Sequence, residues 1–82
     1  MSEITEVDRQ VLTVLVSHPA TTPLDIAEIR TTIMRWEGFH RAPSRSAIKR
    51  SLVKKLEPAG LVILHTRPGG TLVALATEEA RP

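Results

Sequence analysis

A change of residue pattern at Gly60 constrains the fold of this chain more than any other feature. Before that glycine, residues 44–58 read SRSAIKRSLVKKLEP, in which aliphatic side chains recur at helical spacing. After it come two short β-prone runs, LVILHT and TLVALA, separated by RPGG. Pro68 suits the first central position of a type II turn, and Gly69 the second, which needs a positive φ. The pattern predicts a helix over residues 44–58 and then a β-hairpin over residues 61–76, with Arg67 at its tip.

A first helix is predicted over residues 5–17. The hydroxyl of Thr5 can cap its first turn, and Asp8 lies near the positive end of the helix dipole. Aliphatic residues then fall on one side at helical spacing: Val7, Val11, Val14 and Leu15. The run VLTVLV is rich in β-branched residues and also fits a strand. Helix is favoured because Val7 extends the apolar stripe and His18 with Pro19 closes it.

A second helix is predicted over residues 23–37, starting in the run TTPLD. Thr22 is the expected N-cap, Pro23 occupies the first helical position, and Asp25 completes a capping box. Gly38 is the expected stop. One face of this helix collects the apolar residues Ile26, Ile29, Ile33 and Trp36. Trp36 and Phe39, from the run WEGFH, are therefore expected to pack in the core.

Charge is distributed unevenly along the chain, although the net charge is only +2. Residues 1–29 hold five acids and one cation, a net charge of −4, whereas residues 30–67 hold nine cations and two acids, a net charge of +7. Such asymmetry within one small domain predicts a positive face that meets nucleic acid or another acidic surface. The alternative is that the charges only keep the protein soluble.

Several classes of protein and site are not expected. The 82 residues suit one domain, residues 1–82, and without cysteine there is no disulfide framework or thiolate site. The N-terminal run MSEITEVDRQ carries acids where a signal peptide has cations, and no apolar run could span a membrane, so a cytoplasmic protein is predicted. The three histidines lack metal-ligand spacing, and nucleophile motifs and glycine-rich phosphate loops are absent. No enzymatic activity, metal, cofactor, membrane or small-molecule ligand is expected.

The third predicted helix has two distinct faces when its residues are turned by about 100° each. Its apolar face collects Ile48, Leu52, Val53 and Leu56, with Lys49 at the edge. Its second face is small and basic and collects Ser46, Ala47, Arg50, Ser51 and Lys54. Small residues allow close approach to a DNA groove, and arginine can bind guanine bidentately. This second face is predicted to contact DNA.

Two stretches also resemble a known group of regulators. The run LVKKLEPAGLV, Leu52 to Val62, is similar to the end of the recognition helix and the entry to the wing in PadR- and MarR-type transcriptional regulators. The run LATEEAR, Leu75 to Arg81, resembles the segment after the wing in the same proteins. This resemblance implies an α+β, winged helix-turn-helix fold in which three helices are followed by a two-stranded β-hairpin wing, with a polar tail over residues 77–82.

The expected function is sequence-specific binding of double-stranded DNA by a small transcriptional regulator, nucleoid-associated in a prokaryote. The third helix would enter the major groove, and Arg67 would reach the minor groove or the backbone, as the wing does in the proteins that the chain resembles. The predicted DNA-binding residues are Ser44, Arg45, Ser46, Arg50, Ser51, Lys54 and Arg67. The alternative is a winged-helix protein-interaction module that uses the hairpin or the first helix and binds no DNA. A homodimer through the valine-rich first helix is also expected.

Overall fold

The structure, a computed structural model, describes residues 4–81. Within that range the chain forms three helices and a three-stranded antiparallel sheet, which confirms the predicted α+β class. The helical elements are α1 (Glu6–Val16), α2 (Ile26–Glu37), α3 (Arg45–Arg50) and a π-helical segment (Ser51–Leu56) that continues α3. The strands are β1 (Leu24–Asp25), β2 (Val62–Thr66) and β3 (Leu72–Ala76). We call α3 and the π-helical segment together the third helix.

The first predicted helix and its cap are confirmed. Thr5 Oγ1 accepts a hydrogen bond from the Asp8 amide at 3.2 Å, and the Thr5 amide donates to Asp8 Oδ2 at 2.9 Å. This reciprocal capping box satisfies two amides that the first turn would otherwise leave unpaired, which favours helix over strand. Val11 and Val14 are fully buried. Two valines of the surface predicted to mediate self-association therefore lie in the core, whereas Val7 and Val16 are only partly buried.

The predicted start of the second helix is wrong, and the sheet has one strand more than the predicted two-stranded wing. Leu24 and Asp25 are extended and pair with Ala74 and Val73 of β3. In this conformation the Leu24 side chain lies in the core. The capping box begins at Asp25 instead of Thr22, because Asp25 Oδ1 accepts from the Glu28 amide at 2.7 Å and Glu28 Oε1 accepts from the Asp25 amide at 3.1 Å. Pro23 therefore precedes β1 and is outside the helix.

The predicted hairpin is confirmed. Strands β2 and β3 pair antiparallel from Val62 opposite Ala76 to Thr66 opposite Leu72, and the sheet order is β1-β3-β2. At the turn, the Gly70 amide donates to the Arg67 carbonyl at 2.9 Å, and Gly69 has a φ of 102°. A glycine is needed there because a side chain strains a backbone of positive φ.

The third helix begins where predicted, with Ser44 as its N-cap, but widens towards its end. Ser44 Oγ accepts from the Ala47 amide at 3.2 Å. Further along, the Glu57 amide donates to the Leu52 carbonyl at 2.9 Å, a bond one residue longer than in an α-helix. Pro58 accounts for this change because it lacks the amide that would bond Lys54, and its ring would strike the Lys54 carbonyl in a regular helix. The helix ends at Leu56, two residues before the predicted end.

All three helices and the sheet contribute to one core, formed by Val11, Val14, Leu15, Leu24, Ile29, Ile33, Ile48, Leu52, Leu56, Val62, Ala74 and Ala76. The predicted polar tail is attached to this body. Thr77 Oγ1 donates to the Gly60 carbonyl at 2.7 Å, and Arg81 Nη1 donates to the Val16 carbonyl at 3.2 Å. Between them Glu78–Ala80 forms a single 3₁₀ turn, and Pro82 lies outside the described residues.

The predicted burial of Trp36 and Phe39 is wrong, since Trp36 is 49% exposed and Phe39 is 67% exposed. The residues that form the core are aliphatic, and neither aromatic side chain is among them. The Arg30 guanidinium lies 5.9 Å from the centre of the Phe39 ring, and Arg30 Nε donates to the Pro43 carbonyl at 3.0 Å. These contacts fix the connection that leads into Ser44 at the start of the third helix.

Candidate nucleic-acid interface

The third helix presents a basic surface to solvent on the side opposite its buried residues. Ile48, Leu52 and Leu56 are each no more than 1% exposed, so they set the rotation of the helix about its axis. The exposed side then carries Arg45, Ser46, Lys49, Arg50 and Lys54. We call these five residues the basic face. Four of the predicted DNA-binding residues are among them: Arg45, Ser46, Arg50 and Lys54.

Ser51 is a predicted DNA-binding residue that the structure places elsewhere. It is only 3% exposed, and its Oγ donates to Asp8 Oδ1 at 2.6 Å, so the prediction that Ser51 faces DNA is wrong. Lys49 is exposed instead, although the helical pattern put it at the edge of the apolar side. Compared with the predicted orientation, the third helix is rotated about its axis. The reason is that its Ser51 side, and not its Val53 side, contacts α1, where the Asp8 carboxylate accepts the Ser51 hydrogen bond. Helical spacing alone gives no signal of that partner.

Two adjoining grooves give the basic face its shape. One of about 340 Å³ runs between Arg45, Ser46 and Lys49 of the third helix and Thr71 and Leu72 of the hairpin, with Asp25 to Ala27 of β1 and α2 also in its lining. The other, of about 240 Å³, follows the helix and is lined by Ser46, Lys49, Arg50, Val53 and Lys54. Since Ser46 and Lys49 border both grooves, one continuous surface extends from the hairpin along the helix.

The cations of the basic face have no partner among the residues that the structure describes. Within residues 4–81, no ion pair or side-chain hydrogen bond engages Arg45, Lys49, Arg50 or Lys54. Arg9 differs, because it pairs with Glu6 and lies 3.4 Å from Glu37. An unpaired surface cation can bind an anionic partner without first breaking an internal contact. The basic face therefore combines two adjoining grooves with positive charge that is available for binding.

Ser44 and Arg67, the remaining predicted residues, lie at the margins of this surface. The Ser44 hydroxyl caps the third helix, as described above, and the side chain is exposed. Arg67 is exposed at the hairpin tip, where its amide donates to the Thr71 carbonyl at 2.8 Å and its Nη2 donates to the Pro23 carbonyl at 3.4 Å. Because Thr71 shares a groove with Arg45, the hairpin tip and the start of the third helix lie at the same end of the molecule.

A buried carboxylate fixes the orientation of the basic face. Asp8, which is 1% exposed, accepts hydrogen bonds from Ser51 and from Thr5, and its Oδ2 lies 3.4 Å from Lys55 Nζ. Burial alone would raise the pKa of Asp8, but the hydrogen bonds from Ser51 and Thr5 and the charge of Lys55 outweigh burial and lower that pKa. Asp8 thus joins the start of α1 to the π-helical segment, and the groups around it favour the charged form of its carboxylate.

This lowered pKa predicts a dependence of stability on pH. The pKa of aspartate in the unfolded chain is about 3.9. A carboxyl group whose pKa in the folded protein is lower than that adds stability at any pH above the unfolded pKa. That contribution is lost as the pH falls through the folded pKa, so the free energy of unfolding is expected to fall below about pH 4. Urea unfolding at pH 6, 4 and 3 measures the effect, and Ser51→Ala should make the dependence shallower. An equally steep dependence in Ser51→Ala would contradict this role of the hydrogen bond.

Comparisons with protein-family models, with curated proteins and with solved structures found no match to this chain. Within residues 4–81, no cluster of histidine and carboxylate side chains is arranged to hold a metal ion. In the same range, none of the helices has the length and apolar character needed to cross a lipid bilayer. The basic face, by its geometry and its charge, is therefore the candidate functional site.

Proposed function

We propose that this chain is a winged helix-turn-helix protein that binds double-stranded DNA as a small transcriptional regulator. The order of elements supports this proposal: a helix, a short strand, two further helices and then a hairpin whose second strand pairs with the short strand. In this arrangement the third helix is the recognition helix and the β2–β3 hairpin is the wing. The two elements border the same groove, so one duplex can contact both.

The basic face, whose cations are unpaired within residues 4–81, is the observation that carries the proposal. A major groove about 12 Å wide admits one helix with small and polar side chains on its outer surface. Ser46 permits close approach, while Arg50 can donate two hydrogen bonds to O6 and N7 of guanine. Lys49 lies between Ser46 and Val53 on the exposed surface, so we add it to the residues that face the bases. Lys54, one turn beyond Arg50, lies where it can reach bases or phosphates.

Residues at the margins of the basic face are suited to the sugar-phosphate backbone. Arg45 lies in the first turn of the third helix, and the exposed Ser44 hydroxyl precedes it. Arginine and serine side chains at such positions commonly bind phosphate oxygens, which fixes the register of a protein on its duplex. Arg67 at the wing tip is placed to contact the backbone or the minor groove. Asp25 at the hairpin end of the groove would keep phosphates away from that point by charge repulsion.

Binding is expected to weaken steeply with salt. If the five cations Arg45, Lys49, Arg50, Lys54 and Arg67 each neutralise one phosphate, log K should fall against log salt concentration with a slope of about −4.5. Fluorescence anisotropy with a labelled duplex at several salt concentrations measures the slope. Lys49→Ala should make the slope shallower by about 1. A slope that does not change in this variant would remove Lys49 from the interface.

Selection of bound fragments from random duplex DNA tests the proposal and separates it from the alternative. A winged-helix protein that reads bases should enrich a short common sequence. A protein-interaction module without DNA binding should enrich nothing and retain no duplex at low salt. Enrichment of AT-rich DNA without a common sequence would indicate binding by DNA shape alone, which contradicts base reading by Arg50.

A further inference from the structure

A cavity of about 400 Å³ lies between the start of α1 and the third helix, beside the basic face. Val7 and Asp8 of α1 line one side of it. Ala47, Arg50 and Lys54 of the third helix line the other side. We call it the α1 cavity. Small-molecule sites in proteins have volumes of about 300–1,000 Å³ and are mostly apolar, with a few polar groups that orient the ligand. The α1 cavity falls at the lower end of that range and therefore suits a small ligand.

Several polar side chains that line the α1 cavity already have partners inside the protein. The Ser51 hydroxyl donates to Asp8 Oδ1 at 2.6 Å, and Thr5 Oγ1 accepts from the Asp8 amide at 3.2 Å. Asp8 is only 1% exposed, and its Oδ2 lies 3.4 Å from Lys55 Nζ. Lys55 therefore compensates the negative charge of Asp8, and this carboxylate opposes the entry of an anion only weakly. These groups hold the wall of the cavity together.

The rest of the lining offers a ligand an apolar surface with two cations at its border. Val7 and Ala47 carry only aliphatic groups, and the carbon stems of Arg50 and Lys54 add to that surface. Both cations are exposed, and neither has an ion pair or a side-chain hydrogen bond within residues 4–81. Such a cation can bind an anionic group without first breaking another contact. The combination indicates a ligand with an apolar body and an anionic group.

We propose that the α1 cavity binds a small organic anion. The apolar body of this ligand contacts Val7 and Ala47. Its carboxylate or sulfonate group binds Arg50 and Lys54. An aromatic body suits the cavity, since a guanidinium is attracted to the face of a ring. Inorganic phosphate suits it less well, because phosphate has no apolar part to remove the aliphatic lining from water.

The same two cations couple this site to DNA, a consequence that rests on the proposed function. Arg50 and Lys54 line the α1 cavity and also belong to the basic face. A side chain that holds the anionic group of the ligand is no longer available to a base or a phosphate. Coupling between two ligands is reciprocal, so the anion should weaken DNA binding by the same factor as DNA weakens binding of the anion. Binding of DNA is therefore expected to respond to a small molecule.

Fluorescence of anilinonaphthalene sulfonate (ANS) tests the site without DNA, because this aromatic anion emits strongly when it lies on apolar protein surface. Wild type should bind ANS with saturation, and naphthoate should displace it. Inorganic phosphate and the neutral analogue naphthalenemethanol, at the same concentration and ionic strength, should displace it much less. Arg50→Ala with Lys54→Ala should weaken ANS binding by about tenfold or more.

Two uncharged substitutions test the position of the site. Val7→Phe fills the cavity from α1 and Ala47→Leu fills it from the third helix, so each should weaken ANS binding by about tenfold or more. The matched control Leu12→Phe enlarges a partly buried aliphatic residue of α1 outside the cavity and should bind ANS like wild type. Circular dichroism checks that each variant is folded.

Three results would overturn the proposed site. The first is the absence of saturable ANS binding by wild type. The second is binding that is unchanged in both Val7→Phe and Ala47→Leu. The third is displacement of ANS by inorganic phosphate as effectively as by naphthoate, which would show that only charge is recognised.

Release of a labelled duplex by naphthoate tests the coupling with DNA. Fluorescence anisotropy at constant ionic strength should show that naphthoate releases the duplex from wild type. Val7→Phe should bind the duplex but retain it in naphthoate, because Val7 lies outside the third helix. A wild type that binds naphthoate and the duplex together, each with unchanged affinity, would contradict the shared use of Arg50 and Lys54. Absence of all DNA binding would instead contradict the proposed function, and the ANS results would stand independently.

Discussion

Replacement of both Arg50 and Lys54 by alanine is expected to weaken binding of duplex DNA by about 100-fold or more. Each cation lies on the exposed side of the third helix and has no ion pair within the described residues. Loss of a good arginine contact to a base costs about 1–3 kcal/mol, and each 1.4 kcal/mol changes affinity tenfold. Stability should hardly change, because neither side chain has a partner to lose within residues 4–81. Fluorescence anisotropy with a selected duplex measures the affinity.

A matched control keeps this result separate from a general effect of net charge. Arg9→Ala with Arg35→Ala also removes two positive charges, but from exposed positions outside the basic face. This control should bind DNA within a few-fold of wild type, because neither residue lies on the basic face. It should also stay folded, because exposed pairs such as that of Arg9 with Glu6 add little stability. Equal losses of affinity in the two double variants would show that only net charge matters, which contradicts the placement of the third helix.

Asp8→Ala is expected to lower the free energy of unfolding by about 2–4 kcal/mol. The substitution leaves the Ser51 hydroxyl buried without its acceptor, removes the opposite charge beside Lys55, and removes half of the capping box with Thr5. For a domain of this size, the melting temperature should fall by more than about 10 °C. Urea and thermal unfolding measure these changes.

Two further variants separate the causes of this loss. Glu6→Ala removes an exposed acid from the same helical turn and should change stability far less than Asp8→Ala, because water screens an exposed ion pair. Adding Ser51→Ala to Asp8→Ala should recover part of the stability, because the stranded hydroxyl is then gone. A loss in Asp8→Ala no larger than that in Glu6→Ala would show that the buried contacts with Ser51 and Lys55 contribute little.

Local signals in the sequence were sufficient for most elements of the fold. Thr5 with Asp8 predicted the start of α1, and Pro68 with Gly69 predicted the turn of the hairpin, because both signals act within four residues. The start of α2 was missed because two overlapping capping boxes compete there, one beginning at Thr22 and one at Asp25. The pairing of Leu24 with β3 decides between them, and that contact spans fifty residues.

The rotation of the third helix was harder to predict from the sequence. Its apolar spacing predicted Ser51 on the exposed side and Lys49 at the edge of the apolar side, and the structure has Ser51 buried and Lys49 exposed. The signal is absent from the helix itself, because Asp8, forty-three residues away, accepts the hydrogen bond from the Ser51 hydroxyl inside the core. The π-helical turns before Pro58 add a further change of angle that a regular helical wheel omits. Trp36 was misplaced for a different reason: helical phase places it on the apolar side of α2 but does not report how deeply that part of the helix is buried, and Trp36 is 49% exposed.

The change in backbone amide chemical shifts on titration with a selected duplex tests the central claim most directly. If the third helix and the wing bind DNA, the largest shifts should occur over residues 44–54 and 67–71, and they should vanish at high salt. The amides of residues 35–39, at the C-terminal end of α2 and just beyond it, should stay nearly unchanged. Shifts confined to residues 35–39, or the absence of any shift at low salt, would contradict DNA binding by the basic face.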